Sequence, residues 1–338
     1  MLFKEFKENN LFKNIEEFVI NKKVNIRGKE ILLLSFIKYG ESGKLWTLQK
    51  KSSEREEYEC YYNTNREEQI NHIKRNADLE HIYINKMILQ NKEINFTSSQ
   101  GLSIEYAGAM DLSVINYFID KGLINEEWDF VDIEDMIFSV YEQSEEEDFP
   151  IIDKNKKIDI TLHIEEDTIE KLIQHPFKLK IGKYEKDTKI NYIDYDGKDN
   201  FFYVDELLKY DIWEKTISDI NANIDQIEKE YRDSYKEDCL LGVEGICPKN
   251  MDYTALYYEN EENIQLRFLT KEYLDNKPVY SNCTSAMLWH CDVENGINGY
   301  NQWVDGIKAV EKGFNGEIEI ELFSKFIKIP KEIITLKL

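Results

Sequence analysis

The 338-residue sequence has few chain breakers, with 5 prolines and 15 glycines. That excludes collagen-like and Pro/Gly-rich low-complexity chains. Cysteine is scarce and odd in number: Cys60, Cys239, Cys247, Cys283 and Cys291. A chain this long can bury a core large enough to fold without staples, so free thiols are expected in place of a disulfide framework. No apolar run approaches the roughly 18 residues of a membrane span; the longest, residues 31–37, is bounded by Glu30 and Lys38. Lys4 and Glu5 fall where a signal peptide would be apolar, and Leu2 stands where myristoylation needs glycine. The expectation is a cytoplasmic protein that avoids membranes.

Catalytic signatures are missing too. Neither G-x-x-x-x-G-K-[ST] nor G-x-G-x-x-G can be read, so no phosphate-cradling loop is expected. H-E-x-x-H and G-x-S-x-G are also absent. The segment 194–199 looks like a calcium loop around Gly197, but that alignment puts Tyr192 first and Tyr203 twelfth, where carboxylates are needed. An Asp-Gly hairpin turn is the simpler reading. No cofactor is expected.

Basic residues are scarce in one place above all. Residues 101–150 hold one cation, Lys121, against 14 acidic side chains, and the whole chain carries a net charge of −23. Such a field repels phosphate backbones, so direct nucleic-acid binding is not expected, and it attracts basic proteins. Glu126, Glu127, Asp129, Asp132, Glu134 and Asp135 are the candidate partner-binding residues. The simpler reading of these charges is a solvated surface serving solubility; the sharper one is an acidic face that fills a basic site on another protein.

What is plentiful is aromatic, with 21 Tyr and 17 Phe, which together with frequent isoleucine marks a folded chain. The pattern predicts an α+β protein of two domains with mainly antiparallel sheets and flanking helices. In the N-terminal domain, residues 1–148, one or two amphipathic helices precede strands over 24–26, 31–37, 45–49 and 58–62, separated by turns at Gly28 and at 40–43. A short helix over 66–74, strands near 81–89, 94–97 and 102–106, and a helix over 111–119 with Asp111 as N-cap and Gly122 as stop follow. Residues 128–140 read as an acidic helix. The C-terminal domain, 157–338, opens on a strand at 158–164 and a helix at 167–175 capped by Asp167 and stopped before Pro176. Trp213, Ile217, Ile220, Ile224, Ile227 and Tyr231 form one stripe of a long helix near 204–236, which either lies across a sheet or forms a homodimer seam. Further strands are expected at 253–258, 264–269, 287–290, 318–322, 326–329 and 333–336.

Two further groups carry chemistry. Cys239, Cys247, Cys283 and Cys291, with His290, are candidate zinc ligands, although a gap of seven residues within each pair lacks the tight knuckle of structural zinc sites. Trp289, Tyr300 and Trp303 surround two Asn-Gly turns and are candidate contact residues, or cover for the core edge. The leading expectation is a non-catalytic binding protein (inhibitor, immunity-type or adaptor) that engages a basic partner. The alternative is a metal-dependent hydrolase with a carboxylate/His/Cys site in the C-terminal domain.

Overall fold

The computed structural model describes residues 16–39, 42–51, 62–78, 82–153, 156, 158–279 and 295–337. Strand outweighs helix two to one, and the sheets are mostly antiparallel, which makes the fold α+β. The chain divides into two compact units, both discontinuous: one of residues 1–56, 78–167 and 329–338, the other of 57–77 and 168–328. This division differs from a cut at 148–157, because the strand Asp159–Ile164 belongs to the first unit and the helix over 65–77 to the second.

The first unit is an eight-stranded sheet. It contains β1 (Glu17–Ile26), β2 (Lys29–Tyr39), β3 (Ser42–Lys50), β4 (Ile84–Leu89), β5 (Lys92–Ser103), β6 (Met136–Gln143), β7 (Asp159–Ile164) and the late strand β16 (Glu332–Lys337), in the order β1-β2-β3-β6-β5-β4-β7-β16. The expected meander is present as β1 to β3. Its first turn runs through Arg27 (φ 52°) and Gly28 (φ 82°), the left-handed pair that matches strand twist in a two-residue hairpin. Residues 31–37 are apolar without alternation because both faces of β2 are covered. Ile31 and Leu33 join one core with Leu45, Tyr141, Leu162 and Ile164; Leu32 and Leu34 join another with Phe138 and Phe118.

The α2 helix (Ala109–Asp120) covers that second face through Val114, Ile115 and Phe118. Its N-cap is Gly108 and not Asp111, whose carboxylate sits three residues into the helix and accepts the Gly108 N–H at 3.1 Å. Gly122 (φ 70°) ends it as expected. The expected helix over 128–140 is instead two 3₁₀ turns, Glu126–Trp128 and Ile133–Asp135, followed by β6. Pairing along both β3 and β5 overrides the local pattern there.

The second unit stacks two sheets. One contains β10 (Lys189–Ile193), β11 (Asp199–Tyr210), β12 (Met251–Glu259) and β14 (Gln302–Glu311), with β9 (Gly182–Lys183) beside β11; the other contains β13 (Leu266–Thr270), β15 (Glu317–Ile329) and β8 (Asp167–Lys180). Phe202, Val204 and Tyr258 from the first meet Phe268, Ile320 and Leu322 from the second. The expected helix at 167–175 is therefore strand. Gln174 at φ 61° breaks the alternation, and Leu172 and Ile173 pack into different clusters, so their spacing imitates a helical face. The α1 helix (Asn65–Asp78) buries Ile73 against Leu274 and Phe323. Residues 318–329 form one continuous strand, not two.

The long helix expected near 204–236 is also revised. Residues 199–210 are β11; α3 (Ile212–Asn223) gives way to 3₁₀ turns at Ile224–Gln226 and Lys229–Tyr231, and α4 (Arg232–Ile246) turns back. Ile227 is extended (ψ 135°), which interrupts the stripe. The Trp213 indole N–H donates to the Cys247 carbonyl at 2.8 Å, and Ile212 packs with Val243, so the two helices form a hairpin. Ile217 and Tyr231 of the stripe are exposed. A short α5 (Lys271–Asp275) is the last helix among the described residues. The helices expected before residue 16 and the strands at 58–62 and 287–290 fall wholly or mostly outside the described residues.

Phe202 is fully buried and lies within ring contact of Phe177, Tyr192, Tyr258 and Phe268. Replacing it by alanine should cost about 3–5 kcal/mol through lost transfer energy and the cavity left behind. Urea unfolding followed by near-UV circular dichroism checks this.

Candidate functional site

The acidic segment is shaped by its two 3₁₀ turns, in which residues three apart share a side. Trp128 and Val131 point inward and pack against the cluster of Phe118, Leu123 and Phe138. Phe130 and Ile133 then face out, at 97% and 57% exposure. The Asn125 side chain accepts the Glu127 N–H at 3.2 Å and the Asp132 side chain accepts the Glu134 N–H at 3.1 Å, so each turn has its own cap. The turn Ile104–Tyr106 packs beside Ile133–Asp135 and adds the exposed ring of Tyr106.

Around these apolar groups Glu126, Glu127, Asp129 and Asp132 are exposed, while Glu134 and Asp135 are half-buried. Lys23 bonds Glu127 and also Glu30. Glu126, Asp129, Asp132 and Asp135 form no ion pair among the described residues. The six predicted carboxylates thus lie along two successive turns, four of them exposed, and this acidic ledge also carries the exposed Phe130 and Ile133, with Tyr106 on the adjoining turn, which sequence reading missed. The available signal was the pair Trp128 and Val131, whose three-residue spacing leaves Phe130 off the buried side.

The other predicted contact residues belong to the second unit. Tyr300 stacks on Tyr203 with centroids 5.8 Å apart, and its hydroxyl donates to Glu261 at 3.2 Å. Trp303 packs on the core, and its buried indole N–H has no partner among the described residues. Trp289, Cys283, His290 and Cys291 lie outside the described residues. Cys239 is on α4 and Cys247 just past its end. Eight residues of helix separate two thiols by about 12 Å along the axis, farther than one tetrahedral ion can reach. Burial also pushes the Cys247 thiol up, which favours the protonated form. Among the described residues no group of three or more His, Cys, Asp and Glu side chains is arranged to hold a metal ion.

A pair that sequence reading did not single out lies beneath the loop 295–301. Asp205 and Glu259 are 4% and 0% exposed and share a hydrogen bond. β11 and β12 bring them together through a bulge: Val204 faces Tyr258 and Glu206 faces Tyr257, leaving Asp205 as the extra residue. Glu259 accepts the N–H groups of Asn298 (2.8 Å) and Tyr300 (2.7 Å) and the Asn298 side-chain amide (3.0 Å). Asp205 accepts from Gln302 at 2.7 Å. Burial, with Glu259 adjacent, pushes Asp205 up to about 7; Glu259 is lowered because the donors from Asn298 and Tyr300 outweigh its own burial. One proton shared between two carboxylates is the consistent state.

Other buried charges of this unit are also matched from within. Lys325 bonds Asp194 and lies 3.2 Å from Glu262; Arg66 makes a bidentate pair with Glu321 at 2.6 and 2.7 Å. A cleft of about 390 Å³ has an apolar floor of Val310, Phe314 and Ile318 and an acidic rim that is partly neutralised: Lys308 bonds Glu272, and Lys178 and Lys271 pair with Glu319, while Glu311 and Glu317 form no ion pair among the described residues.

A Cβ placed on Gly296 would lie 2.2 Å from the Glu259 carboxyl carbon and 2.5 Å from Asp205 Oδ2. Gly296→Ala should therefore destabilise the second unit by roughly 1–3 kcal/mol, the usual cost of overpacking, read as a lowered urea midpoint. In comparisons with protein-family models, curated proteins and solved structures, the chain finds no match.

Proposed function

We propose that this protein is a non-catalytic binding module of the cytoplasm, of the inhibitor, immunity-type or adaptor kind, whose acidic ledge engages a basic protein partner. The observation that carries this reading is the nearly complete exposure of Phe130 within exposed carboxylates that are mostly without ion pairs among the described residues. Solubility alone accounts for the charges but not for an aromatic ring projecting from among them. Interfaces concentrate their energy in a few aromatic anchors ringed by polar groups, and opposite charge on the partner speeds the encounter. Among the described residues no helix is long and apolar enough to cross a membrane.

Affinity capture from cells, followed by titration of the retained protein, tests the reading. Phe130→Ala should weaken a basic partner by about 2 kcal/mol, roughly 30-fold, as expected for an aromatic hot spot. Neutralising Glu126, Glu127, Asp129 and Asp132 to their amides should slow association and flatten its salt dependence. A partner bound equally well by both variants would remove the ledge from the function.

A further inference from the structure

We propose that the shared proton of Asp205 and Glu259 latches the loop 295–301, so that the loop is held most firmly in acid, loosens progressively as the pH rises toward neutrality and loosens no further once the proton is lost. The loop has an independent frame. Asn295 bridges Asn301, the Gly296 N–H donates to the Tyr300 carbonyl at 2.9 Å, and Gly299 takes φ 97°. The carboxylate pair ties that frame down through the backbone N–H groups of Asn298 and Tyr300 and the Asn298 amide, beside the stack of Tyr300 on Tyr203 and the Asp187 N–H bond to Asn298. Gly296 packs directly over both carboxyl groups, so water reaches them only when the loop lifts. The same crowding favours a proton over a larger cation between them.

Charges around the pair do not relieve its loss of a proton. From β11, Glu206 adds a like charge, held by Lys183 of β9 at 3.4 Å. From the turn after β12, Glu261 is engaged by the Tyr300 hydroxyl. Lys189 lies over the rings of Phe201 and Tyr203. On the other side of the loop the Asp187 N–H donates to Asn298 Oδ1 at 2.8 Å, and Gln302 of β14 is neutral. Among the described residues no lysine, arginine or histidine bonds either carboxylate.

The sign follows from linkage. Asp205 titrates at about 7 when covered, against an ordinary 3.8, so the closed form binds a proton that the open form releases. Closure then weakens as pH rises between those two values and changes no further above them. Glu259 acts oppositely, weakening closure only as pH falls below its ordinary 4.5. Between pH 6 and 8 the Asp205 step amounts to roughly a tenfold increase in opening.

Amide hydrogen exchange of the full chain, corrected for the intrinsic pH dependence of exchange, tests the latch. Asn298 and Tyr300 should lose roughly tenfold of protection between pH 6 and 8. Asp205→Asn, whose amide donates to Glu259 at every pH, should abolish that response; His290→Gln, which changes the histidine nearest in sequence to the loop, should preserve it. Unchanged protection in the wild type, or the same response in Asp205→Asn, overturns the proposal. Should that variant fail to fold, carbon-detected carboxyl titration of the wild type decides. Asp205 titrating near neutrality, with the Asn298 and Tyr300 amides shifting in step, supports the latch. Titration in the ordinary carboxylate range sinks it.

Discussion

Both units rest on the same constraint, that their principal strands are covered on both faces. In the first, β2 lies between one cluster shared with β7 and another roofed by α2. In the second, two sheets face each other, while α1 and the α3–α4 hairpin cover outer surfaces. Double coverage leaves little water for polar side chains. Each carboxylate enclosed there must be met by a cation, by backbone donors or by a proton. Glu321 has Arg66, Asp194 has Lys325, Asp305 has the Phe268 N–H at 2.9 Å, and the Asp205–Glu259 pair has loop donors and a proton.

The ledge obeys the opposite rule. Its 3₁₀ turns are too short to bury more than one side, and the core takes only Trp128 and Val131. The remaining side chains have nowhere to go but outward, so apolar and acidic groups appear together.

Much of the fold was legible where local chemistry and tertiary demand agree. The Gly28 turn, the continuous apolar run of β2 and the helix stopped by Gly122 each carry their own signal. Legibility failed where pairing overruled it. Residues 167–175 have a cap-like Asp167 and helical spacing, yet they belong to β8, which pairs with β15; residues 128–140 read as an acidic helix, yet from Met136 onward they form β6, flanked by β3 and β5. The stripe from Trp213 to Tyr231 has a helical period in the sequence but is broken at Ile227 by an extended residue. For the candidate site, charge density marks residues 126–135 in the sequence, whereas the exposure of Phe130 depends on turn type. Asp205 and Glu259 lie 54 positions apart, and only a bulge in β11 aims one at the other.

The threading of the chain has a consequence for synthesis. β16, the edge strand beside β7, follows every residue of the second unit in sequence. Translation therefore delivers the guest before its host is complete: every described strand of the sandwich has been made while the eight-stranded sheet still exposes the flank of β7. An unfilled sheet edge invites pairing with any passing strand. For this chain, the flank of β7 stays open to that error from the emergence of β7 to that of β16, an interval that takes in the synthesis of most of the second unit.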